Sequence, residues 1–147
     1  MRAISLHQPY ASLMQVGAKK NETRNRPTNI RGDVAICATK KWDGSAFPYE
    51  CALKAHSALR DFIGKDLPHG FVLCVVEFYD CMPVEVAIRR GLAGAGDKEI
   101  FFGDYSDGRY AWLTRNCRRL KTPVPVKGRQ GFFFLSTGVE SEVKAQL

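Results

Sequence analysis

No stretch of this chain reaches 18 consecutive apolar residues, so no membrane-spanning helix is expected. The opening MRAISLHQPY lacks an apolar signal-peptide core, and no secretory targeting is expected either. There is no C-x-x-C pair: the five cysteines, Cys37, Cys51, Cys74, Cys81 and Cys117, stand at wide, irregular intervals. That spacing argues against a zinc ribbon or a disulfide framework and leads to the expectation of a reducing, cytoplasmic setting. Neither a P-loop nor a dinucleotide fingerprint occurs, so ATP and NAD have no support. No cluster of ligating side chains suggests a metal, and no cofactor is expected. Acids are the scarce charge, 15 of them against 22 Lys and Arg.

What is present is a chain of 147 residues, 45% hydrophobic and 25% charged, enough to bury a core in one domain. No repeat or linker divides it. A single domain is expected over residues 1–138, followed by a polar, frayed tail at 139–147. The net charge of +7 is clustered. Residues 19–41 carry seven Lys and Arg against two acids, and residues 115–129 carry six against none. Such patches attract polyanions, nucleic acid first, with an attraction that weakens in salt. The same charge also serves solubility in proteins that bind no nucleic acid.

RAISL reads as a short strand, and QPYASLMQVG as a two-turn helix with Pro9 at its start and Gly17 at its stop. Within it Tyr10, Leu13 and Met14 share a face. GDVAICA (32–38) is apolar on both faces, as a buried strand would be. FPYECALKAHSALRDFIG (47–64) has helical spacing closed by Gly64. FVLCVVEFY (71–79) is the strongest strand signal, and PVEVAIRRG suits a short helix starting at Pro83. The glycine-rich stretch 91–108 reads as a long loop. RYAWLTRNCRRL then reads as a strand, TPVPVKGRQG as a loop and FFFL as a last strand. Strands and helices do not alternate as a doubly wound sheet requires. The expected architecture is α+β: a small, mostly antiparallel β-barrel with two to three peripheral helices.

GAKKNETRNRP (17–27) sets Lys19, Lys20, Arg24 and Arg26 around the single acid Glu22. In an extended chain Lys20, Glu22 and Arg24 share one face, with Lys19 and Thr23 on the other. A structural ion pair is the default explanation of these letters; a cleft whose acid accepts a hydrogen bond from a base edge is the alternative. His7 and Gln8 could bond a base or hold the helix that follows. Glu77 interrupts an apolar strand, either as a catalytic carboxylate or on an outward face beside a lysine. Trp112 reads as core and Arg109, framed by Tyr105 and Tyr110, as a base-stacking or phosphate contact. Trp42 is a further stacking candidate. Lys127 and Arg129 flank Gly128, an arrangement that suits a phosphate or a tight turn.

Taken together, SLHQPYASL, GAKKNETR, GRYAW and PVKGRQGFF resemble the ASCH domain family, the activating signal cointegrator-1 homology domains, over residues 3 to 135. The resemblance implies a PUA-like β-barrel with a cleft where Lys19, Glu22 and Arg24 meet the loop after the first strand. It also implies links to RNA or DNA binding, to transcription coactivation and, in some branches, to hydrolysis of modified nucleosides. One branch, similar to N4-acetylcytidine amidohydrolases, uses lysine and threonine in a G-x-K-x-x-T-x-R setting, together with a glutamate. Lys19 matches the lysine, whereas Glu22 stands in the threonine's place, and an ionised carboxylate supplies neither a donor nor a hydroxyl nucleophile.

The expected function is therefore binding of RNA or single-stranded nucleic acid, or of one modified base. His7, Gln8, Lys19, Lys20, Glu22, Arg24, Arg109, Lys127 and Arg129 are the candidate contacts. The alternative is a metal-independent hydrolase acting on a modified nucleoside or on RNA, with Lys19, Glu22 and Glu77 as catalytic groups. An adaptor for an acidic protein is a third reading.

Overall fold

A computed structural model describes residues 1–40, 57–60, 66–93 and 98–147. The strands among them are β1 (Arg2–Leu6), β2 (Asn21–Arg24), β3 (Gly32–Ala38), β4 (Phe71–Pro83), β5 (Tyr110–Pro125) and β6 (Phe132–Phe134). The helices are α1 (Tyr10–Gln15), α2 (Val84–Arg89) and α3 (Thr137–Lys144), with a 3-10 turn at Lys98–Phe102. The proposed helix at 47–64 and Trp42 lie outside the described residues, apart from 57–60.

The strands form one sheet in the order β2-β5-β4-β3-β1-β6. Only β1 and β3 run parallel; the other neighbours are antiparallel. Three register shifts between β4 and β5 add local twist, as bulges do. The sheet curls until Trp112 of β5 stacks on Phe132 of β6, ring centroids 5.3 Å apart, although three strands separate them in the order. The result is a mixed, curled, barrel-like α+β half-barrel with three helices among the described residues, as the strand pattern predicts.

Two apolar faces explain the run GDVAICA. Val34, Ile36 and Ala38 point into the curl with Ile4, Leu6, Met14, Val76 and Phe78. Ala35 and Cys37 point outward, where Val72, Val75, Leu120 and Phe133 join them under Val143 of α3. Residues 139–147, expected as a frayed tail, are thus largely helix. Val143 is fully buried, and Gln146 bonds both the amide and the carbonyl of Thr122.

Two further boundaries move. The strand expected to end at residue 120 runs on to Pro125, because Val124 pairs with Val72 and fills the outer core. The expected loop 91–108 contains the 3-10 turn, whose Phe102 is buried beside Leu13 of α1. Gly17, at φ 75°, ends α1 as its position suggests and starts the turn leading to Lys19.

Candidate functional site

β2 is an edge strand paired only with β5: Glu22 lies opposite Trp112 and Arg24 opposite Tyr110. The 3-10 turn and the residues after it fold across its open side. Between this turn, β2 and the residues after β1 lies a cleft of about 220 Å³, lined among others by His7, Tyr10, Lys19, Glu22, Arg24 and Arg109.

Lys19 is the cleft's buried cation, 2% exposed. Its ammonium donates to the Phe102 carbonyl at 2.5 Å, lies 3.5 Å from the Glu22 carboxylate and sits 5.6 Å from the Tyr10 ring centroid. The other Glu22 oxygen meets Arg24 Nε at 2.8 Å. Arg24 in turn lies 5.9 Å from the Trp112 ring, so the core aromatic also braces a cleft cation. Glu22 thus joins two cations, as a buried carboxylate must if it is to stay charged.

Thr23 lines the cleft too, where alternation alone places it on the far side. As β2 is an edge, the crossing segment comes to it: Thr23 Oγ1 accepts the Asp104 amide at 3.0 Å. Arg109 donates to the Thr23 carbonyl and to the Asp104 carbonyl, at 3.1 and 3.0 Å, and clamps the segment to the strand.

Behind Lys19 stands Glu99, which the sequence reading passed over. Its carboxylate accepts the Lys20 and Asn21 amides at 2.6 and 2.8 Å and the Tyr105 hydroxyl at 3.2 Å. Burial pushes its carboxyl above the ordinary range, against the opposing pull of Lys19 and these donors. No periodicity marks Glu99 in KEIFF. An acid between glycine-rich segments and beside two phenylalanines was the available signal.

The cleft shares His7 and Arg24 with a larger groove of about 830 Å³. Lys40, Lys127 and Arg129 line this groove along with Ser5, Gly128 and Gly131, and no acid is among its lining residues. The loop carrying Lys127 and Arg129 lies hard against β1. A Cβ built on Gly128 would fall 2.6 Å from Ser5 Oγ, so the close approach needs glycine.

Other candidates stand elsewhere. Gln8 is buried and holds the first turn of α1, its side chain bonding Ser12 and the Pro68 carbonyl. Lys20 is exposed and borders a separate cavity behind the cleft rather than sharing a face with Glu22. Glu77, offered as a catalytic carboxylate, does not line the cleft. It bonds Arg115 and Asn116 on β5, each at 2.6 Å, and the Arg115 guanidinium holds its carboxyl below the usual range. Its neighbouring cation is this arginine rather than a lysine. The pairing follows from register, since β4 sets Glu77 opposite Arg115.

Comparison with known proteins agrees with this architecture. A family model for the ASCH domain matches residues 4–123. Human activating signal cointegrator 1 is 28% identical over 152 aligned positions covering 98% of this chain, and its mouse counterpart is equally similar. The chain spans only 24% of the length of these relatives. Among solved structures, the ASCH protein of Zymomonas mobilis superposes with a TM-score of 0.59 at 15% identity, covering 98% of this chain and 93% of that one. Its Y47F mutant gives 0.57 at 15% identity, with 98% and 96% covered. That likeness is one of fold. With the family pattern running from β1 into β5, the chain belongs to the ASCH domain family.

Proposed function

We propose that this ASCH domain binds single-stranded RNA, with the phosphate backbone in the groove and one unpaired base at the cleft. The observation that carries the reading is the junction at His7 and Arg24. There a small cleft holding hydrogen-bonding groups opens into a groove whose charged lining side chains are all cationic. Phosphates seek such a groove, and an unpaired base offers edges to Glu22 and Arg24 and a face to stack. The family's association with RNA binding supports the reading. The scattered thiols support a reducing, cytoplasmic setting.

The test is a titration of fluorescent single-stranded RNA at several salt concentrations. Lys127→Ala and Arg129→Ala are each expected to weaken binding and to flatten log K against log salt by about 0.7. Binding that ignores salt and both substitutions would rule the groove out.

The buried Lys19–Glu22 pair favours a second reading, hydrolysis of a modified nucleoside without a metal. A lysine held among a carbonyl, a carboxylate and a ring is a preorganised proton donor or, once deprotonated, a base. Glu22 replaces the threonine of the similar amidohydrolases, which ranks this reading second. Mass spectrometry of acylated and alkylated nucleosides incubated with the protein, and with Lys19→Arg, decides it: product lost in the variant would establish turnover.

A further inference from the structure

β6 is an edge strand, and its three phenylalanines alternate across the sheet. Phe133 joins the outer core, and Phe132 packs against the inner one. Phe134 shares the Phe132 face but lies beyond the closed pair Ile4–Phe132, opposite Arg2 in the register. It is 69% exposed, and among the described residues the other large hydrophobic left open is Leu147. The Arg2 guanidinium stands 5.2 Å from the ring centroid and covers one face. A ring this open keeps its other face in water.

This strand begins where the basic groove ends. Gln130 and Gly131 line the groove, and Phe132 follows directly. Phe134 is three residues past Gly131, roughly 10 Å along an extended chain. Across the gap between the sheet edges, Arg26 reaches the same place: a Cβ built on Gly131 would lie 3.7 Å from its Nη2. Arg26 is exposed, and its carbonyl accepts the Trp112 indole N–H at 2.9 Å, which fixes the backbone that carries it. Cations thus stand at each stage: Arg129 in the groove, Arg26 beside Gly131 and Arg2 at the ring. Two nearby acids are engaged elsewhere. Asp33, next to the Arg2 partner Val34, turns to the other face and pairs with Arg118. Glu140 holds the Met1 amine and Lys144.

We propose that Phe134 is a second base-stacking site: the single strand seated in the groove continues along β6 and lays one unpaired base on the open face of this ring, with Arg2 behind it. The inference rests on the RNA reading above and assigns the strand its onward path. An exposed ring beside cations suits a nucleotide, whose base supplies a π-face and whose phosphate supplies the opposite charge. Every base has such a face, so the site selects unpaired over paired nucleotides rather than one letter.

The probe is a set of oligouridylates carrying 2-aminopurine at successive positions, titrated into the full chain at several salt concentrations. At least one label position should dim on binding to the native chain and stay bright with Phe134→Ala. That variant, at an exposed site that spares the fold, should bind about tenfold more weakly. Its slope of log K against log salt should be unchanged, since no charge is lost, which separates it from Lys127→Ala. Phe134→Tyr should retain affinity, and Phe134→Leu should behave as the alanine variant does. A native chain that binds no oligouridylate overturns this inference and the RNA reading together. Salt-dependent binding that Phe134→Ala leaves unchanged overturns the stacking site alone, as does full affinity in Phe134→Leu. Sedimentation of the free chain covers the rival occupant: self-association abolished by Phe134→Ala, with RNA affinity intact, would assign the ring to a second copy instead.

Discussion

A buried ammonium is tolerated only where its charge and its donors are answered, and Lys19 is answered by Phe102, Glu22 and the Tyr10 face together. Glu22→Gln keeps the shape of that arrangement and removes the charge shared between Lys19 and Arg24. A loss of about 1–3 kcal/mol is expected, read from the urea unfolding midpoint. Glu99 supplies a pH signature of opposite character. Because its folded-state carboxyl is raised above 4.5, the folded chain holds more protons than the unfolded chain just above that pH. Its contribution to stability therefore declines as pH rises through that window, and Glu99→Gln should flatten the segment of the stability curve there. The grouping of Lys19, Glu22 and Arg24 was legible because all three fall within six consecutive residues, Lys19 just before β2 and the other two on it. Glu99 was not, because its partners Lys20 and Asn21 lie far back in the chain and a 3-10 turn leaves no periodic trace. Glu77 shows the converse: an acid in an apolar strand signals a cross-strand cation as readily as a catalyst, and the strand register decides between them.

Among the elements, β5 does the most connecting: one end faces the cleft and the other meets α3. Its core was plain from RYAWLTRNCRRL. Its extension through Pro125 was obscured by two prolines, both tolerated near the end of the strand. α3 was missed for a different reason. Val139 and Val143 are the apolar pair one turn apart in TGVESEVK, too few to mark a stripe. Val143→Ala should nevertheless cost about 2 kcal/mol in chemical denaturation, since two methyl groups leave a closed face. The loop before β6 offers a sharper test. Gly128→Ala should destabilise by about 1–3 kcal/mol through its collision with Ser5 Oγ. Adding Ser5→Ala should recover most of that loss, because the built Cβ lies 3.6 Å from Ser5 Cβ, an ordinary contact. A double-mutant cycle would read the coupling directly.

For the whole molecule, the net charge was visible at once but its division was not. Arg115, Arg118 and Arg31 pair with Glu77, Asp33 and Asp80 on the central strands β3 and β4, which offsets two cations of the 115–129 run and one of the 19–41 run. Cationic charge gathers instead at Arg24, Lys40, Lys127 and Arg129, brought together from three separate segments. Two substitutions with the same effect on net charge should therefore differ. Lys127→Glu should abolish most RNA affinity, whereas Lys121→Glu, outside the groove, should leave it nearly intact in the same titration.

That groove also follows the line along which the curled sheet fails to zip. β2 and β6 are its two edges, and the stack of Trp112 on Phe132 draws them together without a backbone ladder. A polyanion lying from Arg24 to Arg129 spans the same gap, so it would act as a clasp on a hoop whose ends merely touch. Breathing of the hoop and release of the ligand then become one motion, and saturating RNA should slow amide exchange in β6 before anywhere in β3 or β4.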